Sequence, residues 1–137
     1  MATLRLEIVT PEKLAFEGDV DSVVLPGSEG ELGVLPMHIP LMTQIKAGEV
    51  VISVNGKKDY LAVGEGFATV TQERVNILTD MAIEWQHIDE SAAESAIERA
   101  KATLANRHEL SEEECASVQA SLMKSLAQLH VKRRRHS

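Results

Sequence analysis

The side chains suited to chemistry in this chain are few and scattered. Of its five histidines, His87, His108, His130 and His136 fall on or beside segments that read as helix, without the spacing a metal ion demands of its ligands. Cys115, the single cysteine, excludes an internal disulfide and cannot build a zinc site alone. It stands near a predicted helix N-terminus, where an activated thiolate and plain apolar packing are both open readings. Ser28 lies in a Gly-Ser-Glu-Gly run that a turn explains without nucleophilic chemistry. No Gly-x-x-x-x-Gly-Lys phosphate loop, Gly-x-Ser-x-Gly elbow or His-Glu-x-x-His helix occurs, so an enzyme is not expected.

What remains is chemistry of recognition. Residues 1–114 hold all 21 acids and nine of the 14 bases, a balance of −12, while residues 115–137 hold five bases and no acid. Those five, Lys124, Lys132, Arg133, Arg134 and Arg135, make a basic arm on an acidic body. Nucleic acid is the weakest partner for it, because a short cationic run without aromatic stacking gives poor phosphate binding. Phe16, Tyr60, Phe67 and Trp85 are the whole aromatic supply. Anionic lipid is conceivable at about 1 kcal/mol per base, but bulky apolar anchors are missing. Two further polar residues, Glu31 and His38, stand in a glycine- and proline-punctuated stretch; by type alone they read as a solvated turn carboxylate and a surface imidazole.

The elements that must position these residues divide the chain in two. From Leu4 to about Glu84 the apolar pattern has period two or comes in short bursts broken by turn residues, which predicts an all-β unit. Leu4, Leu6 and Ile8 alternate with Arg5 and Glu7 until Pro11 ends the strand. Asn55-Gly56 between Val50–Val54 and Tyr60–Val63 is a strong two-residue hairpin signal, with Lys57 and Lys58 beyond the turn. Eight to ten short strands in about 80 residues suggest a closed sandwich or flattened barrel. After Trp85 neither glycine nor proline recurs, and alanine, glutamate and leucine dominate, predicting helix. Asp89 or Ser91 can cap a first helix with an apolar stripe of Ala93, Ala96, Ile97, Ala100 and Leu104. Ser111 with Glu114 makes a capping box for a second, implying an antiparallel hairpin. That second helix carries two stripes, Cys115, Val118, Leu122, Leu126, Leu129 and Ala116, Ala120, Met123, Ala127, Val131, with Ser117, Ser121, Lys124 and Gln128 outside both. The expected class is therefore α+β: a β-sandwich over residues 1–85, then a helical hairpin with a basic tail over 86–137. The longest apolar runs are four residues, against the roughly 20 that cross a bilayer.

One stretch carries a family signature. Val23 to Leu41 reads VVLPGSEGELGVLPMHIPL, and Gly30, Glu31, Leu32, Gly33, Val34, Leu35, Pro36, His38, Pro40 and Leu41 fit the Gly-Glu-Leu-Gly-(apolar)2-Pro-Gly-His-Ala-Pro-Leu run of the epsilon subunit of the rotary proton-driven ATP synthase. The chain resembles that family over nearly its whole length, departing at Met37 for the usual glycine and Ile39 for the usual alanine. Methionine does not take a left-handed backbone cheaply, so the turn before His38 is where the two should differ most.

The resemblance implies a ten-stranded sandwich, an αα hairpin and a non-catalytic rotor subunit without a cofactor. It would bind the gamma subunit and the c ring, couple ring rotation to ATP synthesis, and restrain ATP hydrolysis through its hairpin. It would place Glu31, His38 and Leu41 in the region facing the ring and gamma, and it would bring the basic arm against an acidic segment of the catalytic alpha/beta subunits when the second helix leaves the first. It would also make the chain peripheral on the cytoplasmic face of a bacterial inner membrane. Some members bind ATP through an Ile/Leu-Asp-x-x-Arg-Ala segment; here Ala92 replaces the arginine in Ile88 to Ala93. Asp89, with Arg99 as a substitute donor, is then a weak ATP candidate, and Asp89 reads more simply as a helix cap. The alternative is a free-standing β-sandwich adapter or nucleotide-sensing module with a ligand-responsive hairpin.

Overall fold

The computed structural model describes residues 2–136, the side chain of His136 excepted. Ten strands come first: β1 (Leu4–Val9), β2 (Leu14–Val20), β3 (Ser22–Gly27), β4 (Gly30–Val34), β5 (Leu41–Ile45), β6 (Gly48–Val54), β7 (Lys57–Val63), β8 (Gly66–Val70), β9 (Arg74–Thr79) and β10 (Ala82–Glu84). Two helices follow, α1 (Glu90–Ala105) and α2 (Glu112–His136), each preceded by a single 3-10 turn.

The strands run in the order β10-β7-β6-β3-β5-β8-β9-β1-β2, with β4 paired to β3. A single residue pair, Gly27 with Ile45, joins β3 to β5, and at this narrow seam the sheet folds into two layers. At the far end β2 returns against β6, which nearly closes the barrel and leaves few edges to pair with strangers. All neighbours are antiparallel except β1 and β9.

Alternation decides the core. Leu4, Leu6 and Ile8 of β1 are fully buried, as are Val23 and Leu25 of β3 and Val75 and Ile77 of β9. Each such side chain stabilises the fold by roughly 1.5–3 kcal/mol relative to leaving it in water. The Asn55-Gly56 turn has φ of 51° and 79°, both in the left-handed region that this hairpin type requires. Strand β7 begins directly at Lys57, so the two lysines open the strand.

Two details differ from the sequence pattern. Gly30 and Gly33, which by type punctuate the run and would bracket a short Glu31, Leu32 pair, do not break the chain: Gly30 to Val34 is one continuous strand, paired residue for residue with β3. Only Gly30 has a positive φ, 126°, at the tight β3–β4 turn. Met37, by contrast, does adopt φ 71°, the conformation that side chains ordinarily avoid. Its amide donates to the Gln72 carbonyl at 2.8 Å and the His38 amide to the Leu35 carbonyl at 3.2 Å, so backbone bonds hold the turn that glycine would hold without strain.

Of the two candidate caps of α1, Asp89 is the one used, its carboxylate accepting the Ala92 amide at 3.0 Å. The Ser111 box forms in full: Glu114 N–H donates to Ser111 Oγ at 3.0 Å and Ser111 N–H to Glu114 Oε1 at 3.1 Å. The helices pack on each other, and α2 also lies along β6 and β7.

Candidate interaction surfaces of the sandwich and the basic arm

Glu31 and Leu41 come together in one open groove with Ser28, Gly30 and Met42, because β4 and β5 both border β3 near its C-terminal end. Glu31 is exposed there. His38 lies on the next turn outside that groove, half-buried, its Nδ1 2.7 Å from the Ile39 carbonyl oxygen. The imidazole is thus already engaged locally through one nitrogen, leaving Nε2 for an outside partner.

Around these residues runs an apolar lip that the polar candidates alone did not mark. Leu35, Met37, Ile39 and Met42 are 64%, 65%, 78% and 71% exposed, and Leu41 borders them. Phe67 and Leu78, opposite each other on β8 and β9, extend the apolar surface along the outer face of the same layer. The signal was in the sequence. Ala68 and Val70 point inward, so period two sends Phe67 outward, and an outward phenylalanine marks a contact face.

The basic arm is not a loose tail: it belongs to α2, and four of its five bases are matched to acids while Lys132 meets Trp85. Lys124 Nζ lies 3.6 Å from Asp80. Lys132 donates to the Trp85 carbonyl at 3.2 Å and sits 5.4 Å from the centre of the indole. Arg133 reaches α1, bonding Glu90 at 2.8 Å and Glu94 at 2.7 Å. Arg134 and Arg135 both converge on Glu49 of β6, at 3.3 Å for Arg134 and at 3.1 and 2.8 Å for the two bonds of Arg135. The Arg135 guanidinium also stacks 3.5 Å from the centre of the Tyr60 ring. Its hydrogen bonds to the accepting Glu49 carboxylate hold the Arg135 guanidinium more firmly protonated than usual, and those to Glu90 and Glu94 do the same for Arg133.

The inward surface of α2 is mixed: Ala127 and Val131 of the second apolar stripe are buried, with polar residues beside them. Ser121, Lys124, Ser125 and Gln128 line a cleft of about 330 Å³ with Thr10, Asp80 and Met81, and Gln128 Nε2 donates to the Met81 sulfur at 3.0 Å. Lys124 and Gln128, which fall outside both apolar stripes, therefore lie in the seam, while Met123 and Leu126 of those stripes stay 48% and 38% exposed. Apolar closure comes from one small cluster, Val131 on Ala62 and Ile88, flanked by Tyr60, Met81, Ile83 and Trp85. Asp89 is occupied as a cap, and Arg99 is exposed on α1.

Among the described residues no helix is long and apolar enough to cross a membrane. Two family models match the chain: ATP synthase, Delta/Epsilon chain, beta-sandwich domain over residues 3–85, and ATP synthase, Delta/Epsilon chain, long alpha-helix domain over residues 86–133. The chain is 41% identical to the ATP synthase epsilon chain of Dehalococcoides mccartyi, across 99% of this chain and 98% of that one. It is 40% identical to the ATP synthase epsilon chain of Nitratidesulfovibrio vulgaris, across 95% and 96%. Its structure is similar to a chain of the Euglena gracilis mitochondrial ATP synthase, solved as OSCP/F1/c-ring in rotational state 1, with a TM-score of 0.77 at 25% identity over 95% of this chain and 81% of that one. A chain from the Tetrahymena thermophila mitochondrial ATP synthase central stalk and c ring shares the fold, with a TM-score of 0.56 at 8% identity over 98% and 96%.

Proposed function

Because the chain belongs to the delta/epsilon chain family of the rotary ATP synthases, as a non-catalytic subunit, we propose that it grips the central stalk with its sandwich and brakes ATP hydrolysis with its hairpin. Residues 1–85 act as the gripping unit and 86–137 as the regulatory one. A part that transmits torque must be stiff, and a nearly closed sheet with a densely packed core is stiff. The apolar lip from Leu35 to Met42 and the groove holding Glu31 and Leu41 face the gamma subunit and the c ring, with His38 donating or accepting across that interface. Coupling of ring rotation to synthesis follows from that grip, as does a peripheral place on the cytoplasmic face of the inner membrane. ATP has no part in this reading, since the arginine of the nucleotide segment is Ala92 and Asp89 is committed to a cap.

The observation that carries the brake is the nature of the seam under α2. A helix whose buried apolar residues are only Ala127 and Val131 beside a cleft of serines, a lysine and a glutamine, with Met123 and Leu126 left in water, is held weakly enough to leave and has apolar surface ready for another partner. Once undocked, Lys124 and Lys132 to Arg135 are offered to acidic surface on the catalytic alpha/beta subunits. Deleting Ser111 to Ser137 should raise ATPase activity of the assembled enzyme severalfold without loss of assembly. An unchanged rate in an intact complex refutes the brake, and failure of the purified chain to capture gamma or the c ring refutes the grip.

A further inference from the structure

The bases of the arm divide by what they hold. Arg133 ties α2 to α1 through Glu90 and Glu94 and so stiffens the hairpin. Arg134 and Arg135 reach Glu49, which belongs to β6, so they fix the hairpin to the sandwich. The two ion pairs also differ in setting. The Arg133, Glu90 and Glu94 side chains are 58%, 38% and 51% exposed, whereas Arg135 is 19% and Glu49 10% exposed. An ion pair in water contributes little, but a shielded carboxylate with a bidentate guanidinium that also lies on an aromatic ring is a strong, directional contact. Near it the apolar closure of the seam centres on Val131, and α2 lines the adjoining cleft with Ser121, Lys124, Ser125 and Gln128.

We propose that Glu49 is the latch of the hairpin: by engaging Arg135 and Arg134 against Tyr60 it retains the docked state, and it competes for these arginines with the acidic partner surface. The proposal rests on the braking reading for its consequence but not for its geometry. An arginine whose fork is filled by Glu49 cannot bind an outside carboxylate in the same way, so docking and partner binding exclude each other at one guanidinium. The strength of the brake is then set by a residue of the sandwich, far in sequence from the arm that applies it. Losing Glu49 frees the arm; losing Arg135 opens the latch and also removes a braking charge.

Trp85, the only tryptophan, lies under Lys132 at this junction and reports on it. In the full-length isolated chain, Glu49→Gln should shift Trp85 emission to the red and speed amide exchange in the last turns of α2 by about ten- to a hundredfold, while β1 and β9 amides stay protected. Arg135→Gln should act in the same direction but less, since Arg134 still reaches Glu49, and the double variant should fall short of the sum of the two, because either change removes the contact of Arg135 with Glu49. A Glu90→Gln, Glu94→Gln variant should loosen the hairpin while leaving Trp85 emission in place. In the assembled enzyme Glu49→Gln should lower ATP hydrolysis severalfold, and Arg135→Gln should not. Unchanged α2 exchange in both single variants, or additive effects in the double variant, overturns the latch. If Glu49→Gln opens the hairpin but hydrolysis does not fall, the latch stands and the braking reading fails.

Discussion

Met37 keeps a left-handed backbone at φ 71° with a side chain that is 65% exposed, so the strain is not offset by burial. A non-glycine residue there costs about 1–2 kcal/mol, partly balanced by the lower unfolded-state entropy of methionine. Met37→Gly should therefore raise stability by about 0.5–1 kcal/mol, read as a shift of the urea midpoint at constant slope; a loss of stability would show that the methionine side chain packs after all. Gly66 is the opposite case. A Cβ there would stand 1.8 Å from the Leu78 carbonyl oxygen and 2.8 Å from Thr79 Cα, backbone that cannot yield without parting β8 from β9. Gly66→Ala should cost roughly 2–3 kcal/mol in the same titration. At this scale the sequence was readable in part. Residue types and the signature marked Glu31, His38 and Leu41, and the structure puts Glu31 beside Leu41 and His38 one turn away. Glu49 was not readable, because its meaning depends on a helix that arrives from the other end of the chain.

Elements with local causes were legible, and those decided by docking were not. The β1 alternation, the Asn55-Gly56 turn and the Ser111 box each follow from neighbouring residues, and each forms as the pattern requires. Asp89 against Ser91 was left open by the sequence; the chain uses Asp89, and Asp89→Ala should destabilise α1 by about 1 kcal/mol, visible as faster exchange of the first-turn amides. The inward face of α2 was legible in part: Ala127 and Val131 of the second stripe are buried, but Met123 of the same stripe stays exposed, and the polar cleft of Lys124 and Gln128 depends on the docking partner. This division between buried and exposed stripe residues has a direct consequence. Leu126→Gln should leave docking of the isolated chain intact, whereas Val131→Ala, which opens a gap among Ala62 and Ile88, should weaken it by about 1–2 kcal/mol, with Trp85 emission distinguishing the two.

For the molecule as a whole, charge separation along the sequence becomes charge matching in space. The chain carries −7 overall, yet its basic end is folded onto Asp80, Glu49, Glu90 and Glu94, so the arm presents less bare positive charge than its composition suggests. The same matching decides what opens it. Arg133 and Arg135 are held more basic than usual by their carboxylate partners, and a raised value means their contribution persists up to the arginine range and is lost only above it. Mildly alkaline pH therefore does not discharge these arginines, and salt is the effective lever. Screening length falls from about 10 Å at 0.1 M to 3 Å at 1 M, and it acts most on exposed pairs. Raising NaCl to about 1 M should first speed exchange in the opening turn of α1, where exposed Arg133 is paired, and only later shift Trp85 emission, which reports the shielded Arg135 and Glu49 contact. If the tryptophan shift came first, the hairpin would be leaving the sandwich as a rigid pair, and the retaining force would lie in the exposed charges instead of at Glu49.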